Sequence, residues 1–409
     1  MKIKYILIGL LASALSVKAQ KSDSVFQKKN ISKTDVQLLF SYYGQDGNNS
    51  AVTGGIGTEK LNVYAPNLSL AYSKGKSTIH FDGGVDVISS ASTDNIDFVV
   101  SSPSKVDNRV YSHVGYERSF PKSNLILGAK TGFSIESDYL SFPVLLNASY
   151  TTPDLSRTFY FSFESFFDDL RWGRLNPDYR RPVNLVYPAE LRYKNWFDIY
   201  RRYTNNFKLA FSQVINERMV LGFLPSLSYQ SGLLSTPFQR VYFNNDSLRV
   251  ENLPEQRFKI PVGVRLNYFA GSRTILKAEY NFYCDDWGIL ANAIQLETAV
   301  KVRPEFTLSP FFRFYHQSAA RYFAPYKVHA LSEEFYTSDY DLSKFDSYKV
   351  GIGFRYAPFS YWGKKFSFNE IDLRYSAYFQ SNGLHAQSIT LLLSTSFQKA
   401  KSILENENQ

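Results

Sequence analysis

Long stretches of this chain alternate strictly between apolar and polar side chains, and few folds accommodate that pattern at such length. In a strand, successive side chains point to opposite faces, so period two sorts the residues onto two surfaces. Over 124–136, Leu125, Leu127, Ala129, Thr131, Phe133 and Ile135 share one face; Lys130, Ser134 and Glu136 stand on the other with two glycines. Over 258–268, Phe258, Ile260, Val262, Val264, Leu266 and Tyr268 oppose Lys259, Pro261, Gly263, Arg265 and Asn267. The segments 79–87, 348–356 and 371–379 repeat the pattern. A strand of a soluble sandwich usually holds about 5–6 residues. A tilted strand needs about 9–11 to cross hydrocarbon, and the alternating runs here reach that length. The polar face also carries full charges, which suits a wet interior better than the outside of a sandwich.

The pattern predicts an all-β chain: a transmembrane outer-membrane antiparallel β-barrel of about 16 strands. The expected strands are 34–43, 61–74, 77–90, 108–119, 124–137, 140–151, 158–167, 202–214, 218–230, 257–268, 273–285, 289–302, 306–317, 346–357, 365–379 and 384–397. The alternative is 14 strands with 34–60 folded inside as an N-terminal plug. Short connectors such as Lys74-Gly75-Lys76 and Ala270-Gly271-Ser272 alternate with long ones at 44–60, 91–107, 168–201, 231–256 and 318–345. Barrels have short turns on the periplasmic side and long external loops, which puts both termini in the periplasm. Tyr42, Tyr43, Tyr72, Tyr150, Tyr229 and Tyr268 fall near strand ends, as interfacial girdles do. The last strand puts Ile389, Leu391, Leu393, Thr395 and Phe397 on one face, the kind of pattern barrel-insertion machinery reads.

Residues 1–19 have a basic start at Lys2 and Lys4, a short apolar core and small residues before Gln20, the form of a signal peptide. The barrel then occupies 20–397 and a polar tail 398–409. Without 1–19, the chain keeps 43 basic and 37 acidic side chains, net +6, spread along its length. That balance gives no sign of nucleic-acid binding. The single cysteine, Cys284, cannot form an internal disulfide, and no Cys/His cluster has zinc spacing.

Residues 41–59, SYYGQDGNNSAVTGGIGTE, are the least barrel-like part of the chain. No Gly-Lys-Ser/Thr follows, so a phosphate-binding loop is disfavoured. Asp46, Asn48 and Ser50 have the spacing that opens a calcium loop, but Ala51 and Gly57 stand where such a loop needs Gly and Glu. The better reading is a compact constriction or plug built from Gln45, Asp46, Asn48, Asn49, Gly54, Gly55, Gly57 and Glu59. From Leu38 to Glu59, with QDG, then NNSAVTGG, then GTE, the run resembles an uncharacterised, domain-of-unknown-function family of outer-membrane proteins found among Bacteroidota and some proteobacteria. The resemblance implies a signal peptide and an outer-membrane β-barrel, and no known activity.

The faces expected to line the lumen carry Lys130, Lys208, Lys259, Arg265, Arg313, Lys349, Arg355 and Arg374, with Asp82, Asp86, Glu279 and Asp372. Rings of charge set selectivity in an open pore, and a basic excess favours anions. Acid pairs at Asp168-Asp169, Asp285-Asp286 and Glu333-Glu334, with Asp339 and Asp341, fall in loops or at strand tips and are candidates for divalent cations. An arginine-rich loop, 168–203, sets Arg171, Arg174, Arg180, Arg181, Arg192, Arg201 and Arg202 among aromatics, which suits anionic lipid, a carboxylate or phosphate ligand, or a partner protein. The five histidines show no ligand spacing. No catalytic, metal or cofactor set emerges. The first expectation is a pore or gated channel for small polar or anionic solutes. The second is a non-conducting scaffold or accessory subunit of an envelope complex, and the weakest is an outer-membrane enzyme. The expected partners are outer-membrane lipid and lipopolysaccharide, plus the insertion machinery during biogenesis.

Overall fold

The computed structural model describes residues 30–90, 106–136, 139–170, 201–236, 239–358, 361–362 and 365–401. The expected signal peptide, most of the arginine-rich loop and residues 402–409 lie outside them. No helix among the described residues is long and apolar enough to cross a membrane.

The strands are β1 (Asn30–Asp46), β2 (Leu61–Lys74), β3 (Ser77–Ser90), β4 (Val106–Phe120), β5 (Leu125–Ile135), β6 (Leu140–Thr151), β7 (Arg157–Asp169), β8 (Arg201–Asn216), β9 (Met219–Gly232), β10 (Arg240–Tyr242), β11 (Leu248–Val250), β12 (Gln256–Phe269), β13 (Thr274–Asp285), β14 (Leu290–Lys301), β15 (Phe306–Gln317), β16 (Phe345–Tyr356), β17 (Tyr361–Trp362), β18 (Phe366–Gln380) and β19 (His385–Lys401). Sixteen of them form one closed antiparallel ring. It runs β1 to β9, then β12 to β16, then β18 and β19, and β19 pairs back onto β1. All sixteen expected strands are present, so the alternative of 14 strands with 34–60 folded inside as a plug does not hold: β1 pairs with β2 from Ser32 through Gln45. β10 and β11 form a separate hairpin, and β17 is a two-residue addition to β18. β19 continues to Lys401, four residues into the segment expected as a tail.

Closure satisfies the backbone of every wall strand within the ring, the condition for a sheet to sit in hydrocarbon. The apolar parity points outward. Leu127, Phe133, Val144, Leu146, Phe161, Leu209, Phe223, Leu296, Phe354 and Leu373 are exposed, and Val114 and Leu296 are each more than half open. Water-soluble monomers rarely expose extended apolar patches, so a belt of such residues around the ring suits an apolar surrounding. Tyr42 against Tyr64, and Phe306 against Tyr356, give close ring pairs near the two rims, with centroids 5.2 Å and 4.8 Å apart.

One rim carries the turns at 75–76, 121–124, 217–218 and 302–305. The other, called distal here, carries 47–60, 233–255 and 318–344, together with short links at 136–139, 286–289 and 381–384.

Candidate functional site

The inner wall is a charged and polar surface in which acids and bases are matched. The twelve charged positions expected to line the lumen alternate along their strands with exposed apolar side chains. Asp82 pairs with Lys130, and Asp86 with Arg109 at 2.5 Å. Glu279 takes Arg265 at 2.9 Å, Asp372 takes Arg374 at 3.3 Å, and Glu370 pairs with Arg355. Three members were not singled out from the sequence, Glu164, Glu297 and Lys277: Glu164 holds Lys208 at 2.6 Å, and Glu297 holds Lys277 at 2.8 Å. Glu117 receives Asn147 Nδ2 at 3.1 Å and lies 3.2 Å from His80. Lys259 lies directly opposite Asp285 in the β12–β13 register, but Asp285 is bound to Arg257 at 2.5 Å. Arg313 and Lys349 face each other across β15 and β16.

The acid pairs expected as cation candidates are engaged elsewhere. Asp168 binds Arg202 at 2.8 Å, and Asp286 Oδ1 accepts the Phe258 N–H. Glu333 sits 2.5 Å from His329. Among the described residues no group of three or more potential ligands can hold a metal. His80 and His316 also meet carboxylates, Glu117 and Asp346.

The distal mouth is bridged by loops from widely separated points of the ring. The β1–β2 connection and the connection carrying the β10–β11 hairpin have eight wall strands between them in either direction, so they start on opposite sides. They nevertheless meet. A Cβ at Gly54 would lie 2.6 Å from Tyr242 Cδ2, and one at Gly55 would lie 2.8 Å from the Ser338 carbonyl oxygen. Both residues have positive φ, +81° and +85°, so glycine is required there for conformation and for space. The loop is tied internally by Glu59 N–H to Gly47 O at 2.7 Å and by a bridge between Asn49 and Gly57. Asn49 Nδ2 donates to Asn382 O at 2.8 Å, fastening it to the β18–β19 link. Gln45 ends the inward row of β1 and accepts the Tyr43 hydroxyl at 2.8 Å, while Asp46 pairs with Lys60 at 3.3 Å. Asn48 reaches the same crevice beside Glu59, Asp339 and Asp341.

The hairpin and the 318–344 loop share one small core of Val241, Phe243 and Tyr336, against which His329 is fully buried. His329 Nε2 donates to the Thr337 carbonyl at 2.9 Å. The Thr337 hydroxyl donates to Glu251 at 2.5 Å, and Glu251 also accepts the Thr236 N–H at 2.7 Å. Gln239 Nε2 donates to Asp339 at 3.2 Å. The 3-10 turn Tyr340–Leu342 dips against the inner wall, where Gln317 Nε2 donates to the carbonyls of Asp341 and Ser343 at 2.9 Å and 2.6 Å.

This cap concentrates carboxyl groups. Burial first, then the carboxylates of Asp341 and Asp339, push Glu59 up to about 7. Burial pushes Glu251 up to about 8. Asp341 rises to about 6 through burial and the neighbouring Asp339 carboxylate, and burial raises Asp339 as well. Several of these carboxyls are therefore protonated or half protonated near neutral pH. No sequence pattern marks Glu251 or Thr337; only the meeting of the loops brings them together.

A family model described as "Protein of unknown function (DUF3570)" matches residues 99–388, a span that begins after the glycine-rich run. No curated protein matches the chain. Among solved structures, the chain is similar to Pseudomonas aeruginosa OccK1 (OpdK), at 8% identity and a TM-score of 0.42, over 90% of this chain and 99% of that one. It is similar to OccK5 (OpdH) of the same organism, at 10% identity and 0.42, over 90% and 98%. A BenF-like porin from Pseudomonas fluorescens Pf-5 matches at 10% identity and 0.40, over 90% and 99%.

Proposed function

The chain belongs to the DUF3570 family of proteins of unknown function, and we propose that it works as a gated outer-membrane channel for small polar or anionic solutes. One observation carries this reading: a 16-stranded ring, wide enough to enclose an aqueous path, is lined with ion pairs inside and closed at one mouth by inter-loop contacts. A packed structural interior has no use for so many charged side chains. The constriction is formed by residues 45–59, with Gly54 and Gly55 as the crossing point. The apolar belt faces lipid, with lipopolysaccharide against its outer half. On this reading the rim of short turns is the periplasmic one, with both termini on that side, and assembly passes through the insertion machinery.

The density of the cap favours a second reading, a non-conducting barrel that serves as scaffold or accessory subunit of an envelope complex. An enzyme is the weakest reading, because the described histidines meet carboxylates, backbone or rings and none meets a nucleophile. Planar-bilayer recording of the purified chain, and of a variant lacking 48–58, separates the first two. Low or intermittent current that becomes large and steady on deletion supports the channel. Silence from both, with a folded barrel, supports the scaffold.

A further inference from the structure

We propose that the outer face of the wall, at the rim of short turns, holds one anionic glycerophospholipid, its acyl chain in a groove over β15, β16 and β18 and its phosphate on Arg303. The proposal rests on the reading of this rim as the periplasmic one, and it does not depend on whether the barrel conducts.

The groove has a volume of about 500 Å3 and is lined mainly by side chains of the outward parity. Two cross-strand rows build it. Leu308, Phe354 and Leu373 are successive register partners, and Phe306, Tyr356 and Ile371 repeat the arrangement one step nearer the rim. Phe354 is more than half open, and Phe306, Tyr356 and Leu373 are exposed. Tyr356 with Ile371 is the last pair between β16 and β18, so β16 stops there while β18 runs on to Phe366 against β19 and the two residues of β17. Tyr356 and Ile371 line the groove at this step in the wall. In hydrocarbon such a trough supplies shape but little preference, because lipid tails are as apolar as the residues that line it. Preference has to come from charge.

Arg303 lies in the turn 302–305 and lines the same groove. It is exposed, and among the described residues its side chain has no ion pair and no hydrogen bond, not even with Glu305 of the same turn. Arg355, the other cation at the groove, is engaged by Glu370. The rest of the rim has the sign of Arg303. Lys74, Lys76, Lys122, Arg218, Arg273 and Lys301 are exposed and form no ion pair among the described residues, against Asp154, Glu217 and Glu305 in the turns. Unpaired cations at one level of a membrane wall match a leaflet of negative surface potential. Of these cations Arg303 is the one that lines the trough, so there a single molecule can offer both an acyl chain and a phosphate. A guanidinium presents parallel donors that fit two phosphate oxygens. Lipid A also carries phosphate, but on the periplasmic reading it lies at the other rim.

The test is native mass spectrometry of the full chain released from detergent, titrated separately with phosphatidylglycerol, phosphatidylethanolamine and lipid A. The expected result is one retained phosphatidylglycerol, held about tenfold more strongly than phosphatidylethanolamine, the effect of one charged hydrogen bond. Arg303→Gln should remove that preference. Arg218→Gln takes the same charge from another turn of the rim and should leave it intact. Leu373→Trp fills the trough while staying apolar, so it should weaken both phospholipids in a barrel of unchanged Tm. Equal retention of the two phospholipids by the native chain, a preference for lipid A, or equal effects of the two arginine variants overturns the assignment. The leaflet is read separately: Ser272→Cys, combined with Cys284→Ala, should resist a membrane-impermeant maleimide in intact cells. Labelling there would overturn the periplasmic reading, and a phosphatidylglycerol preference kept alongside it would leave the groove standing. Resistance to labelling without any such preference removes the groove alone.

Discussion

Arg374 on β18 and Glu297 on β14 lie 3.2 Å apart although two strands, β15 and β16, stand between them. The arginine reaches this far because Gly353 leaves its stem room: a Cβ there would lie 3.3 Å from Arg374 Cγ. Glu297 also holds Lys277 and is buried, so one carboxylate serves two cations. Glu297→Gln should therefore cost more than Arg374→Met, roughly 2–4 kcal/mol against about 1, because it takes the carboxylate from Lys277 and weakens the hold on Arg374, which keeps Asp372. Thermal unfolding of the two variants in detergent checks the order; equal losses would contradict it.

The outer face sets a second expectation. Leu146 is nearly half exposed on β6, and Asn147, one residue on, turns inward beside Glu117. Leu146→Arg puts a cation against lipid near the middle of a strand and should cost about 2–4 kcal/mol. Asn147→Arg puts it next to a carboxylate and should cost less than about 1 kcal/mol. Urea refolding into lipid vesicles measures both, and a reversed order would mean that the faces have been exchanged.

Gly54→Val forces a β-branched side chain into positive φ and against the Tyr242 ring. The left-handed backbone alone costs roughly 1–2 kcal/mol, all of it borne by the cap. The barrel should unfold at an unchanged temperature while 47–60 becomes cleavable by protease. Protection equal to that of the native chain would show that the crossing does not depend on this glycine.

The cap should loosen as pH rises. Glu59, Asp341 and Glu251 have folded-state pKa values of about 7, 6 and 8, above the ordinary carboxyl value of about 4–4.5. Such groups bind protons more tightly in the closed form, so their support is complete below pH 4 and fades as pH passes through 6 to 8. Bilayer conductance should then increase between pH 5 and pH 9, and Glu59→Gln with Glu251→Gln should flatten the profile. A flat profile in the native chain would refute the gate.

Most of the wall was legible in the sequence because one parity rule governs it. Leu125, Leu127 and Phe133 had to share a face with lipid, and Lys130 had to face in. Which charges touch was less legible. The couple Arg313–Lys349 needs the register of β15 on β16, and Arg374–Glu297 needs a reach across two strands, neither of which alternation encodes. The cap was the least legible part. The glycines of 41–59 pointed to a compact loop, but Gly54 meets Tyr242 only because the ring brings opposite connections to one mouth. The hairpin of β10 and β11, with three residues in each strand, is too short to leave a periodic trace.

Because β19 is hydrogen-bonded to β1, each wall strand has two fixed neighbours and the seam between them is a strand pair like any other. The order in which the strands are synthesised is therefore separable from the order in which they touch. A chain opened at the turn 270–273 and rejoined through a linker between β19 and β1 would keep every adjacency on the wall. Until its final strand is in place, however, any version of this chain exposes two unsatisfied edges, so the cylinder becomes stable only in one last step.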